Sequence, residues 1–134
     1  MAETTAPSRQ LTQTAEFGGK VTAQIVSLKA VTGVANGPGE IAGPALSVTL
    51  RVTNGSTKAI VLDGVGVTLT DSTGGPTSTL AGPPSAPFTG TLAAGDNATG
   101  SYVFTIAADK RRPIKLSLSY STEAPTVVFA GNAP

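Results

Sequence analysis

Apolar residues recur at every second position in short blocks separated by Gly and Pro. Leu46, Val48, Leu50 and Val52 alternate with Ser47, Thr49, Arg51 and Thr53. Val65, Val67 and Leu69 repeat the pattern, as do Tyr102, Phe104 and Ile106. Ile114, Leu116, Leu118 and Tyr120 alternate with Lys115, Ser117, Ser119 and Ser121. Successive side chains on a strand point to opposite faces, so each block predicts a strand with one dry face and one wet face. The predicted strands are 45–53, 59–62, 65–70, 100–107, 114–121 and 126–130, with a short one over 88–92. A weak edge strand over 11–17 ends at Gly18-Gly19. Gly66, inside a strand block, predicts a bulge or a close backbone approach. Leu50, Val52, Val67, Phe104, Ile106, Leu116 and Leu118 are expected to be buried. Arg51, Thr105, Lys115 and Ser117 are expected to be exposed.

The segment Lys20–Val31 fits two periods. Val21, Ile25, Leu28 and Val31 make a helical stripe, whereas Val21, Ala23 and Ile25 fit a strand with a phase change at Val26 that a bulge would supply. High β-branched content and the lack of a capping pair favour the strand. Turn signals separate the blocks at Asn36–Gly39, Gly43-Pro44, Asn54–Ser56, Asp63-Gly64, Ala93–Asn97 and Glu123–Pro125. Residues 71 to 87, rich in Gly and Pro, hold no long strand. Asp109–Pro113 is a turn with room for a single helical turn. Seven to nine strands without a long helix or a repeat predict an all-β fold. The expected architecture is an antiparallel immunoglobulin-like β-sandwich over 11–131, behind a flexible tail over 1–10.

The 134 residues suit one domain. Nine basic residues against eight acidic give a net charge of +1, which argues against a nucleic-acid or anionic-membrane partner. The chain has neither Cys nor His. A disulfide framework, a thiolate nucleophile and a Ser/His/Asp arrangement are therefore excluded. A zinc site would have to be all-oxygen, which zinc disfavours, so neither metal nor cofactor is expected. Heavy use of Thr, Ser, Ala, Gly and Pro with little Lys and Glu is typical of secreted bacterial proteins from high-GC genomes. No apolar run reaches the roughly 20 residues of a membrane span. Met1 followed by Ala2–Ser8 reads as a start placed before a mature domain already trimmed of its signal segment.

The acids stand singly, mostly in predicted turns, and read as turn formers rather than catalytic pairs. Asp71–Gly74 and Gly95–Asn97 supply loop oxygens but lack the spaced carboxylates of a calcium loop. Asn54-Gly55-Ser56 and Asn97-Ala98-Thr99 match the glycosylation triplet and are read as turns. A Lys20 or Lys29 crosslink to Asn54 would need a buried lysine beside a carboxylate. Pro83–Pro87 is a polyproline ligand or, preferably, a rigid loop. The basic run Lys110, Arg111 and Arg112 is a candidate anion-contacting turn. The preferred reading is a solvated hairpin tip whose three charges discourage edge pairing.

Several stretches together carry a resemblance. They are Gly19–Val21 into Val26–Lys29, Val48–Ser56, and Gly90–Gly95 running into Thr99–Phe104. Over residues 11 to 130 the chain resembles the telokin-like immunoglobulin-fold domains of actinobacterial secreted proteins and lipoproteins. It is also similar in plan to the mycobacterial secreted immunoprotective antigen. The resemblance implies a β-sandwich and an extracytoplasmic location, secreted or lipid-anchored, and brings no active site with it.

The expected function is therefore a non-enzymatic module, binding or spacing at the bacterial cell envelope, with a protein or envelope polymer as partner. It is expected to be a monomer or a weak homo-oligomer. The alternatives are a self-assembling fibre, pilus or phage-surface subunit and, ranked last, a carboxylate-based hydrolase.

Overall fold

Two sheets face each other across a core of aliphatic and phenylalanine side chains. The computed structural model describes residues 9–11, 14–18, 20–33, 43–80, 86, 88–120 and 126–133. The strands are β1 (Arg9–Gln10), β2 (Ala15–Gly18), β3 (Val21–Gly33), β4 (Gly43–Asn54), β5 (Ile60–Val61) and β6 (Gly66–Thr70). They continue as β7 (Ser78–Leu80), β8 (Thr91–Leu92), β9 (Asn97–Thr105), β10 (Ile114–Ser119) and β11 (Val127–Gly131). One sheet has the order β1-β11-β10-β6, the other β2-β3-β4-β9-β7, and β5 pairs with β8 apart from both.

The fold is an antiparallel β-sandwich, with one parallel contact where Arg9–Gln10 meet Phe129–Ala130. That contact places residues 9 and 10 in the sheet, so the part of the expected tail outside the described residues is 1–8. The two strands beyond the nine expected are β1 and β7, of two and three residues, too short to show a period.

The alternation works because both inner faces are dry. Leu46, Val48, Leu50, Val52 and Phe104 from one sheet meet Leu69, Leu116, Leu118, Val127 and Phe129 from the other. Leu62, Phe88 and Leu92 pack into the same cluster from the connecting segments. β3 is a strand along its whole length, and its register with β4 shifts between Ile25 and Ser27, where the phase change at Val26 lies.

Five positions depart from expectation. Val67 is only half-buried because β6 is an edge strand, paired with β10 alone. Arg51, Thr105 and Ser117 are half-buried because each faces a neighbour on both sides, as Arg51 does Gln24 and Thr99. Gly66 opens β6 and has no atom within 4 Å of where a Cβ would stand, so no close approach requires glycine there.

Gly100 is different. A Cβ there would lie 2.8 Å from the Phe88 ring, which packs flat on the glycine. The Phe88 N–H donates to the Tyr102 hydroxyl at 3.1 Å, so the ring is held from two sides. Gly100→Ala is expected to cost about 1–2 kcal/mol by overpacking. Urea denaturation checks this, and a stability equal to the parent would show that the ring moves freely.

Candidate functional site

The basic run does not form one solvated cluster. After β9 the chain makes a single 3-10 turn at Ala108–Lys110, closed by the Lys110 N–H on the Ala107 carbonyl at 3.0 Å. The Ser72 N–H then donates to the Lys110 carbonyl at 2.9 Å, and the Ala133 N–H to the Arg111 carbonyl at 3.0 Å. Pinned on both sides, the backbone turns Arg111 inward, where the residue is 5% exposed. This corrects the expectation of three solvated charges. Only Lys110 and Arg112 are exposed, and Arg112 donates from Nε to the Ala133 carbonyl at 3.1 Å.

The Arg111 guanidinium binds main chain. Nε and Nη2 donate to the Ile106 carbonyl at 3.3 and 3.0 Å, and Nη2 also to the Ala45 carbonyl at 3.2 Å. It thus ties the start of β4 to the end of β9. Its partners are neutral carbonyls, so the positive charge is solvated by dipoles and balanced by no carboxylate among these bonds. Beside it lies a cavity of about 450 Å³, lined among the described residues by Ala30, Val31, Thr32, Gly43, Pro44, Ala108 and Arg111. The lining side chains are apolar apart from Thr32 and Arg111.

Among the described residues no group of three or more His, Cys, Asp or Glu could hold a metal ion. The acids expected in turns are engaged there. Asp71 Oδ1 accepts from the Thr73 N–H at 2.9 Å, the Thr73 hydroxyl at 2.6 Å and the Gly75 N–H at 3.0 Å. Asp63 Oδ1 accepts from the Gly90 N–H at 2.7 Å.

Donation from the Thr73 hydroxyl, then from the Gly75 amide, holds the Asp71 carboxyl below its ordinary value. A depressed carboxyl stabilises the fold above the unfolded-state value, and the contribution is lost as pH falls through the folded value. The Thr73 and Gly75 amide resonances are expected to shift together below about pH 4. Amides that stay still through an NMR titration would show that the carboxylate does not hold this turn.

Burial pushes both tyrosine hydroxyls, Tyr102 and Tyr120, above their ordinary value, which makes them poor bases near neutrality. Asn54 is fully buried. Its Nδ2 donates to the Lys58 and Leu92 carbonyls at 2.7 and 3.1 Å, and its Oδ1 accepts from the Ser56 N–H at 3.1 Å. A glycan could not reach it, and its amide is already spent on main chain. Lys20 and Lys29 are exposed, so neither meets the buried-lysine condition of a crosslink. Asn97 begins β9 rather than closing a turn. The polyproline residues 83–85 and Pro87 lie outside the described residues, whereas Ala86 bridges to Ser101.

Sequence reasoning found the basic turn but not the inward arginine. The inner residues Leu46 and Val48 were legible, but the burial of Ala45 and Val103 on the opposite face, packed with Val31, was not. Among the described residues two valines are exposed, Val26 at 45% and Val61 at 58%.

No protein-family model and no curated protein matches the sequence. Solved structures do. The yjhA protein of Bacillus subtilis has a TM-score of 0.69 at 17% identity, over 90% of this chain and 99% of that one. The ycdA protein of the same species, described as a candidate lipoprotein, has a TM-score of 0.70 at 15% identity over 94% of this chain. The present chain spans only 39% of that protein. The secreted protein MPT63 of Mycobacterium tuberculosis has a TM-score of 0.62 at 15% identity, over 96% of this chain and 97% of that one. The chain shares the β-sandwich fold of these proteins. Among the described residues no helix is long and apolar enough to cross a membrane.

Proposed function

We propose that this chain is a non-enzymatic binding module of the bacterial cell envelope, secreted or lipid-anchored, with a protein partner. One observation carries the reading. The cavity beside Arg111 offers a positive charge and apolar side chains, and among the described residues its lining holds no group that takes up or releases a proton near neutrality. Such a lining supports holding a ligand rather than transforming it. The extracytoplasmic location draws its support from the likeness to MPT63 and ycdA.

Fractionation of host cells with an antibody against the domain tests location. The domain is expected in the medium or the detergent-soluble envelope, and a protease-protected cytosolic pool would refute it. Binding is tested by retention of the purified chain on isolated envelopes. Retention should vanish when the envelopes are first treated with protease. Retention that survives this treatment would point to an envelope polymer, and none at all would refute the binding role.

A second reading, self-assembly, is favoured by β3. From Ile25 to Gly33 no described residue pairs with its outer edge, and Val26 is exposed there. Concentration-dependent oligomers in light scattering would support it.

A further inference from the structure

We propose that the cavity beside Arg111 receives the C-terminal carboxylate of an extended polypeptide, laid against the last residues of β3. The inference rests on the binding-module reading and names the ligand of its site.

Three observations converge. The first is charge. Arg111 is a buried cation whose bonds to the Ile106 and Ala45 carbonyls use Nε and Nη2. Among the described residues Nη1 has no hydrogen bond, and the residue lines the cavity. A guanidinium held on one side by carbonyls and open on the other is set to bind a carboxylate.

The second observation is the sheet edge. β2 pairs with β3 only as far as Ala23, so the described residues leave the outer edge open from Ile25 onward. Natural edges are guarded by bulges and lysines. Here the bulge lies between Ile25 and Ser27 and the exposed lysine is Lys29. Both guards precede Ala30. The unguarded stretch is Ala30, Val31, Thr32 and Gly33, and the first three line the cavity. An added strand gains main-chain hydrogen bonds from such an edge.

The third is shape. Pro44 and Ala108 complete an apolar wall around the charge. A volume of about 450 Å³ suits one or two small apolar residues ending in a carboxylate. A soluble dianion such as phosphate would find one cation and an apolar wall, which is a poor fit.

The test is an NMR titration of the full chain with four probes. They are the tripeptide acetyl-Ala-Val-Val with a free carboxyl end, the same peptide amidated, isobutyrate, and inorganic phosphate. The free acid is expected to shift the Ala30–Thr32 and Ala45 amides and the Arg111 Nε–H with saturation. The amidated peptide should bind at least tenfold more weakly. Ala108→Leu, which narrows the cavity beside the guanidinium and spares the arginine, should weaken binding at least tenfold in a protein of unchanged melting temperature. Arg111→Lys should weaken binding about tenfold, and if that variant fails to fold, Ala108→Leu carries the test.

Equal binding of acid and amide, shifts elsewhere, or full binding by Ala108→Leu would overturn the proposal. So would isobutyrate or phosphate binding as tightly as the peptide, because the edge would then contribute nothing. Loss of peptide binding with envelope retention intact would sink this inference alone. Peptide binding without envelope retention would sink the module reading instead.

Discussion

Replacing Arg111 with Met should lower stability by about 2–4 kcal/mol, because it strands buried carbonyl acceptors. In a domain of this length that is a fall in melting temperature of roughly 6–15 °C. Methionine matches much of the arginine stem and removes the cost of burying a charge. What it cannot replace is donation to the Ile106 and Ala45 carbonyls. Those acceptors end β9 and begin β4, so the loss falls where two central strands meet the 3-10 turn.

The two neighbours should behave differently. Lys110 is exposed, and Lys110→Ser should change stability by no more than about 0.5 kcal/mol. Arg112→Ser loses one half-buried bond to the Ala133 carbonyl and should cost about 1 kcal/mol. Thermal unfolding of the three single variants decides the matter. Equal small losses at all three positions would mean that Arg111 is as dispensable as a surface charge.

The contrast within this run shows where the sequence stops being informative. Period-two alternation is a local signal, and it located β4, β6, β9, β10 and β11 because their inner faces are mainly apolar. It even marked the bulge in β3, because an extra residue shifts the phase of Ile25 against Leu28. Burial of Ala45 and Val103 has no such signal. They occupy the face expected to be wet, and they are covered only because tertiary packing brings Val31 beside them. Arg111 is the same problem in stronger form. Three adjacent basic residues read as one charged tip unless something pins the backbone. Here the pins are main-chain bonds to Ser72 and Ala133, one distant in sequence and the other at the far end of the chain. The cavity is equally non-local, assembled from β3, β4 and the turn after β9.

At Asn54 the turn signal is visible in the sequence, but the energetic weight of its side chain, set by bonds to the distant Leu92 as well as to Lys58, is not. Asn54→Asp changes almost no volume, yet it is expected to cost about 3–5 kcal/mol at pH 7, because a buried carboxylate facing two carbonyls, with no cation among its hydrogen-bond partners, outweighs donation from the Ser56 N–H and hydroxyl. The Nδ2 group faces two carbonyl acceptors, those of Lys58 and Leu92, and aspartate would set a carboxylate oxygen against both. The neighbourhood cannot open to relieve this. The Asn54 N–H donates to the Asp96 carbonyl at 2.9 Å and its own carbonyl accepts from the Gly95 N–H at 2.7 Å. The Gly55 N–H is held by the Lys20 carbonyl at 2.9 Å, so tightly that a Cβ on Gly55 would lie 2.7 Å from that oxygen.

Burial and the two facing carbonyls would raise the folded-state value of the introduced carboxyl above its unfolded value of about 3.9. The folded state then holds a proton that the unfolded state has released, so stability falls as pH rises between the two values. The destabilisation relative to the parent should therefore be largest at pH 7 and shrink towards pH 4.5, where the protonated acid can donate to one of the carbonyls. Denaturant unfolding of parent and variant at both pH values measures the difference. A gap that stays constant with pH would mean that the carboxylate reaches water, and that Asn54 is not the sealed junction between β4, the bend at Lys58 and β8 that its hydrogen bonds describe.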